Sequence, residues 1–133
     1  MDSGGEVSEL RLVVTADDYD GALGFYRDML GLPQLVSYTH DGGHVAILDA
    51  GKATLEISDH VYAEYIDEVE VGRRVAGHIR VAFGVPDTAA KTESLVSAGA
   101  TLIAQPRETP WRSLNSRLGG PAALQLTLFT DLD

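Results

Sequence analysis

The sequence predicts an α+β protein made of two consecutive βαβββ modules that face a small-molecule cleft. Three observations predict it. The same order of strand and helix patterns occurs twice, glycine-bearing turns separate short strand patterns, and several unlike features recur at one offset of 69 residues. A chain of 133 residues has room for one compact domain. We therefore predict a single domain over 1–133, with modules at 8–58 and 77–130 joined by a linker at 59–76.

The first module begins with a strand, because leucine and valine dominate residues 10–16. Asp17 or Asp18 then caps a helix whose apolar residues recur at helical spacing, and Gly31 suits a left-handed C-terminal cap. Glycine turns divide the rest as in an antiparallel meander. The module therefore reads β-α-β-β-β, with its three later strands at 35–40, 44–49 and 52–58.

The second module repeats this order after an acidic linker. From Asp59 to Glu70 the chain has five acidic residues and no basic ones, so we predict a solvated edge at 64–70. A strand over 78–85 precedes a helix that starts at Pro86-Asp87 and ends at Gly99. The module closes with three further strands, at 100–105, 112–118 and 124–129.

The offset of 69 joins residue pairs of different chemistry: Arg11 with Arg80, Asp18 with Asp87, Gly51 with Gly120, and Glu56 with Gln125. Alternate side chains of a strand face opposite sides of the sheet. The apolar faces, such as that of Leu10, Leu12 and Val14, are expected to pack under the helices. The opposite faces carry both arginines, Glu56 and Gln125, which indicates a ligand cleft. These polar residues could instead pair with one another on a solvated sheet.

Four segments resemble the vicinal oxygen chelate superfamily, which includes glyoxalase I, extradiol dioxygenases and bleomycin resistance proteins. They are DYDGALGFYRDMLGL at 18–32, RVAFGVPD at 80–87, Ser97-Ala98-Gly99, and Thr109-Pro110-Trp111. The resemblance spans roughly residues 8–130, and its motifs are specific for fold rather than for activity. It implies an open cupped sheet around the cleft, usually in a homodimer.

Metal-dependent members of that superfamily take ligands from the first and last strand of each module. The resemblance places Arg11, Glu56, Arg80 and Gln125 at those positions. A guanidinium stays protonated and has no lone pair to give a metal. Glu56 and Gln125 remain, with His78 as a substitute near Arg80, whereas catalytic sites typically use three protein ligands. We therefore predict no metal and no other cofactor.

Together with the arginines at two ligand positions, the resemblance favours metal-independent binding of a small organic ligand or antibiotic in a dimeric cleft, as in bleomycin resistance proteins. The predicted cleft residues are Arg11, Glu56, His78, Arg80, Trp111 and Gln125. Trp111 could stack on a planar ligand or pack in the core or a dimer contact. The alternative is a glyoxalase-like lyase, isomerase or dioxygenase. That enzyme would use a divalent metal, or Glu56 as a general base with an arginine stabilising negative charge.

The composition narrows the class of partner. A net charge of −10 disfavours nucleic acid, whose phosphates would be repelled. No apolar run approaches the ~20 residues of a membrane span, and no signal sequence opens the chain. The chain has no cysteine, which excludes disulfides and thiolate metal sites. We expect a cytoplasmic protein.

Overall fold

A computed structural model describes residues 5–133, which form one mixed eight-stranded sheet and three α-helices. The strands are β1 (Glu9–Thr15), β2 (Gln34–His40), β3 (Gly43–Asp49), β4 (Thr54–Ser58), β5 (Ile79–Gly84), β6 (Thr101–Glu108), β7 (Ser113–Gly119) and β8 (Gln125–Asp131). The helices are α1 (Tyr19–Leu23), α2 (His60–Glu70) and α3 (Thr88–Ser97). None of these helices is long and apolar enough to cross a membrane. The predicted α+β fold of two βαβββ modules with an open sheet is confirmed.

The two modules join edge to edge within one sheet, whose strand order is β2-β3-β4-β1-β5-β8-β7-β6. The first strands of the modules, β1 and β5, pair antiparallel at the centre. Each is parallel to the last strand of its own module, β4 or β8. The four central strands therefore carry the four polar residues of the repeat, which are Arg11, Glu56, Arg80 and Gln125.

The helix caps agree with the sequence pattern. The side chains of Asp18 and Asp87 accept hydrogen bonds from backbone N–H groups at the starts of α1 and α3. After α1 the chain continues as a π-helical segment over Gly24–Met29, which the helical spacing did not predict. Gly31 and Gly99 follow with φ of 90° and 112°, the left-handed conformation predicted for both.

Helices α1 and α3 cover two separate areas of one face of the sheet, which we call the outer face. Under α1 the buried core is Ala46, Leu48 and Ile57, and under α3 it is Val85, Leu118 and Leu128. The centre of the outer face is uncovered, because Leu10 and Leu12 are 39% and 37% exposed. The expectation that both pack under a helix is wrong: only Val14 of that group reaches the α1 core.

The solvated edge predicted at 64–70 is also wrong, because these residues belong to the packed helix α2. Tyr62 and Ile66, one helical turn apart, form a buried cluster with Val45 of β3. Asp67 and Glu70 are fully buried, at 0% and 2% exposure. Acidic composition suggested solvation, but it did not reveal the buried cation that these carboxylates meet.

Candidate functional site

Opposite the outer face lies the inner face, on which laterally paired side chains form two rows. Row A runs across five strands as Val36, Ile47, Glu56, Val13 and Arg80. Row B runs in the same order from the other edge as Ala104, Arg117, Thr127, Ala82 and Arg11. Each row crosses from one module into the first strand of the other. The rows are related by an approximate twofold axis between β1 and β5.

This register corrects the alignment of the last strands. Ala82 lies 69 residues after Val13, but it pairs with Thr127 whereas Val13 pairs with Glu56. The structural counterpart of Glu56 is therefore Thr127 rather than Gln125, a shift of two residues that keeps the same face. The β7–β8 connection contributes to the shift, since it contains a short 3₁₀ turn over Pro121–Ala123.

A cavity of about 330 Å³ opens between the inner face and α2. Its size lies near the lower end of the range for small-molecule sites, which is roughly 300–1,000 Å³. Four of the six predicted cleft residues line it: Arg11, Glu56, Arg80 and Trp111. The other two, His78 and Gln125, do not.

Arg80 is the cation at the cavity floor. It is only 6% exposed, and its one protein hydrogen bond within the described residues is a 2.9 Å donation to Thr127 Oγ1. A guanidinium has five N–H donors, so most of its capacity is unused by the protein. Burial lowers the pKa of Arg80, although Glu70 and Glu56 oppose this through their negative charge. The site therefore offers a largely buried, unsaturated cation to whatever occupies the cavity.

Glu56 lies across Val13 from Arg80, two strands away, so the two backbones are roughly 10 Å apart. It is 8% exposed, and none of the described residues hydrogen-bonds or ion-pairs with its carboxylate. Burial raises the pKa of Glu56, while the positive charges of Arg80 and Arg11 oppose the rise. The carboxyl group of Glu56 and the guanidinium cation of Arg80 thus face one cavity with no hydrogen bond between them.

Arg11, the repeat counterpart of Arg80, is already engaged. Its Nε donates to Glu9 Oε2 at 2.9 Å, and its guanidinium carbon lies 4.4 Å from the centroid of the Phe129 ring. Its side chain is 28% exposed, so it lies towards the opening of the cavity. Neither sequence-suggested pair, Arg11 with Glu56 or Arg80 with Gln125, occurs as a hydrogen bond between side chains.

The remaining predicted residues have different surroundings. His78 is exposed, and its Nδ1–H donates to the Thr15 carbonyl at 2.9 Å, away from the cavity lining. Gln125 accepts a 2.7 Å hydrogen bond from Arg117 and donates to a linker carbonyl. Trp111 lines the cavity and meets Tyr65 of α2 edge to face, with 6.1 Å between ring centroids. Its stacking on a ligand stays a prediction.

Sequence reasoning missed the buried ion network beneath α2. Arg117 is fully buried and donates to Asp67 Oδ1 at 2.8 Å and to Glu70 Oε1 at 2.7 Å. Burial alone would raise the pKa of Asp67, but hydrogen bonds from the backbone of Ala76 and Val75 and from Arg117 hold it below its ordinary value. The sequence signal that could have revealed this network was Arg117 at an inward position of β7, together with the acidic run that contains Asp67 and Glu70.

The inner face does not fit a divalent metal. Arg11 and Arg80 have no lone pair for coordination, and the Gln125 side-chain oxygen already accepts from Arg117. Glu56 is then the only ligand left at the four positions that the resemblance implied. Within residues 5–133, no group of three or more histidine, cysteine, aspartate or glutamate side chains is arranged to hold a metal. The donor set of the inner face therefore suits an organic ligand better than a metal ion.

Comparisons with known proteins agree with this architecture. Methylmalonyl-CoA epimerase from Mycobacterium tuberculosis superposes with a TM-score of 0.70 at 20% identity, covering 100% of this chain and 94% of that one. A variant of Streptomyces coelicolor methylmalonyl-CoA epimerase, in complex with 2-nitronate-propionyl-CoA, gives 0.67 at 20% identity over 96% and 99%. A hypothetical protein from Bacillus halodurans C-125 gives 0.68 at 16% identity over 92% and 93%.

These structural likenesses show a shared fold. None of the curated proteins searched matches the chain significantly. The family model of the Glyoxalase/Bleomycin resistance protein/Dioxygenase superfamily matches residues 10–133, which is nearly the whole chain. On that match, the chain belongs to the Glyoxalase/Bleomycin resistance protein/Dioxygenase superfamily.

Proposed function

We propose that the chain is a cytoplasmic protein that binds a small organic ligand, such as an antibiotic, in this cavity without a metal. One observation carries the proposal: Arg80 and Glu56 are largely buried and face the same cavity with hydrogen-bonding capacity that none of the described residues uses. Burial limits the water that can solvate these two groups, and a ligand that hydrogen-bonds to both would supply the partners that the protein does not.

The ion network beneath α2 supports a preformed site. Arg117 fixes Asp67 and Glu70, and Glu70 lines the cavity. Asn115 donates a further 2.7 Å hydrogen bond to Glu70. Because these hydrogen bonds hold Glu70 from two sides, the wall around Arg80 is ordered before a ligand arrives, which reduces the entropy lost on binding.

The test begins with protein purified in chelator and checked for metals by elemental analysis. A thermal-shift library of cationic glycopeptides, aromatic antibiotics and hydroxy-keto acids is expected to yield hits on this metal-free protein. Arg80→Met should weaken each hit at least about tenfold, because the principal cation of the floor is lost. The control is Arg73→Met, which removes an exposed arginine outside the cavity lining.

Two results would overturn the proposal. One is that ligands bind only after a near-stoichiometric divalent metal is added. The other is that hits keep their affinity in both Arg80→Met and Arg11→Met, which would place binding outside the cavity. Arg11→Met alone is expected to lower the affinity only partly, because Arg11 is already paired with Glu9.

A second candidate is a metal-free isomerase that moves a proton, and the environment of Glu56 favours it. Burial raises the pKa of Glu56, which brings a carboxylate closer to the range useful for general acid–base catalysis. Its carboxylate would take a proton from a carbon next to a carbonyl, and the electron pair of that C–H bond would move to the carbonyl oxygen. Arg80 would stabilise the resulting enolate oxygen.

This candidate has its own readout. Acyl-CoA thioesters are suitable first probes, since a protein of this fold has been solved with 2-nitronate-propionyl-CoA. In D₂O, the enzyme is expected to exchange the proton next to the thioester carbonyl, and Glu56→Gln should abolish the exchange. Ligand binding to the wild type with no proton exchange, weakened rather than abolished in Glu56→Gln, would favour the binding protein.

We also propose that the chain forms a homodimer through the uncovered centre of its outer face. Leu10, Leu12 and Ile79 are 39%, 37% and 46% exposed there. Light scattering coupled to gel filtration should give twice the chain mass, and Leu12→Glu should give the monomer mass. A wild-type monomer at micromolar concentration would contradict this.

A further inference from the structure

The two sides of the cavity differ in chemistry. The strands β2 and β3 contribute only apolar or aromatic side chains to it, and these form the apolar wall: Leu35, Val36, Tyr38, Val45 and Ile47. The strands β7 and β8 contribute mostly polar side chains, which form the polar wall: Ser113, Asn115, Thr127 and Asp131, with Phe129 as the exception. The first module therefore contributes an apolar wall to the cavity, and the second module contributes a polar one.

Helix α2 follows the same division along its length. Tyr62 and Ile66 pack with Val45 above the apolar wall. One turn later, Glu70 bonds to Asn115 and Arg117 above the polar wall. A ligand in the cavity therefore has apolar contacts above and below at one end and polar contacts at the other.

Most of the polar wall is already satisfied by internal hydrogen bonds. Ser113 donates to Asn115, and Asn115 donates to Glu70. Thr127 accepts from Arg80. Among the largely buried charged side chains of the lining, Arg80 keeps unused donors and Glu56 has no hydrogen-bonding partner among the described residues. Asp131 also lines the cavity, but it is exposed.

We infer that the ligand is amphipathic, with an apolar body on the β2–β3 wall and an uncharged head that both accepts and donates hydrogen bonds, of the carboxamide type. The carbonyl oxygen of such a head meets Arg80, and its N–H or O–H meets Glu56. The inference rests on the proposed binding function and names its ligand class.

Charge decides between this head and an ionic one. Arg80 and Glu56 together carry no net charge, and Glu9 pairs with Arg11. Glu70 and Asp67 share Arg117, and Asp67 also pairs with Arg74. The remaining charge of the lining, Asp131, is exposed to solvent. A carboxylate head would suit Arg80 but would be repelled by Glu56, and an ammonium head would suit Glu56 but would be repelled by Arg80. A neutral head with both functions avoids either repulsion and leaves neither group unpaired.

Four probes test the inference by calorimetry at pH 8. Three share one body and differ in the head group: 4-phenylbutyramide, 4-phenylbutyrate and 4-phenylbutylamine. The fourth, butyramide, has the amide head without the ring. The phenyl amide is expected to bind about tenfold more tightly than the phenyl acid or amine. It should also bind more tightly than butyramide, because only the ring reaches the apolar wall.

Two variants test whether the apolar body of the ligand lies on the apolar wall. Leu35 lines the apolar wall but is 57% exposed, so Leu35→Ser should fold and weaken 4-phenylbutyramide several-fold while leaving butyramide unchanged. The matched control is Leu102→Ser, on the opposite edge strand and outside the cavity lining. It should bind the phenyl amide as the wild type does.

If 4-phenylbutyrate or 4-phenylbutylamine bound more tightly than 4-phenylbutyramide, the inferred neutral head group would be wrong. If Leu35→Ser bound 4-phenylbutyramide as tightly as the wild type does, the inferred orientation of the apolar body would be wrong. Either result leaves the proposed function standing if the affinity still depends on Arg80. Failure of all four probes would overturn the ligand class, whereas the library screen on metal-free protein decides the proposed function separately.

Discussion

The two modules share an element order and a repeated arginine, yet their inner faces have diverged. Ile47 of row A and Arg117 of row B occupy equivalent positions in the sheet, one apolar and the other charged. The next positions inward hold Glu56 in row A and Thr127 in row B. The free acid of the site thus lies in the first module, whereas the second module holds the ion network.

This difference shows how the repeat becomes a binding site. Helix α2 contacts the first module through apolar side chains and the second through Asp67 and Glu70. Arg117 forms ion pairs with both acids of α2, whereas the carboxylate of Glu56 has no partner among the described residues. Likewise Arg11 pairs with Glu9, and Arg80 keeps most of its donors.

The largest expected effect comes from removing the charge that distinguishes row B. Arg117→Met leaves Asp67 and Glu70 buried without their shared cation, and breaking buried ion pairs in this way costs about 3–5 kcal/mol. Urea unfolding monitored by circular dichroism measures the loss.

The matched change in row A is Ile47→Met, which conserves volume and should cost less than about 1.5 kcal/mol. Arg117→Lys keeps the charge but loses the two-armed geometry, so its unfolding free energy should fall between these. Equal costs for Arg117→Met and Ile47→Met would show that the two modules hold α2 alike.

A smaller effect tests the apolar contact of α2 with the first module. A Cβ added at Gly43 would lie 2.6 Å from the backbone nitrogen of Tyr62, so Gly43→Ala must displace the start of α2. We expect a loss of about 1–3 kcal/mol in the free energy of unfolding, as for overpacking elsewhere.

Gly77→Ala is the control, because nothing lies within 4 Å of the added Cβ there. If both variants unfold at the same urea concentration, α2 is held by its ion pairs in the second module alone. The comparison of the modules would then reduce to Arg117.

The smallest effect concerns the pH dependence of the free acid. Because burial raises the pKa of Glu56, the folded state binds more protons than the unfolded state between the ordinary and the raised value. Stability from this group is therefore present at low pH and lost as pH rises through the folded-state pKa. Glu56→Gln should stabilise the protein above that window, by under about 1 kcal/mol, and not below it.

Thermal unfolding from pH 4 to pH 8 checks this, with Glu93→Gln as the control, because Glu93 is an exposed residue of α3. Asp67 should behave in the opposite way, because its pKa is lowered and its stabilisation is lost as pH falls. A Glu56→Gln variant that is less stable than wild type at pH 8 would mean that ionised Glu56 has a stabilising partner.

Several features could be predicted from the sequence because their causes are local. Asp18 and Asp87 cap helices through hydrogen bonds a few residues away, and Gly31 adopts a conformation that other residues avoid. Strand alternation put Arg11, Glu56 and Arg80 on one face. The family resemblance and the element order followed from such local signals.

The linker and the last-strand register could not be predicted in this way. An acidic run gives no sign that Asp67 and Glu70 meet a cation in β7, and a matching offset does not fix strand pairing. The pairing of Ala82 with Thr127 depends on the length of the connections around β7, which determines where β8 lies against β5.

The sequence by itself determined two βαβββ modules, an inward-facing set of arginines and acids, and too few metal ligands. Only the tertiary structure decided which of those charges are free. Arg11 and Arg80 have identical chemistry and equivalent places in the repeat, but ion pairing is a matter of neighbours in space. Glu9 accepts a hydrogen bond from Arg11, and Arg117 pairs with the acids of α2. Within residues 5–133, Arg80 and Glu56 therefore keep hydrogen-bonding capacity for a ligand in the cavity.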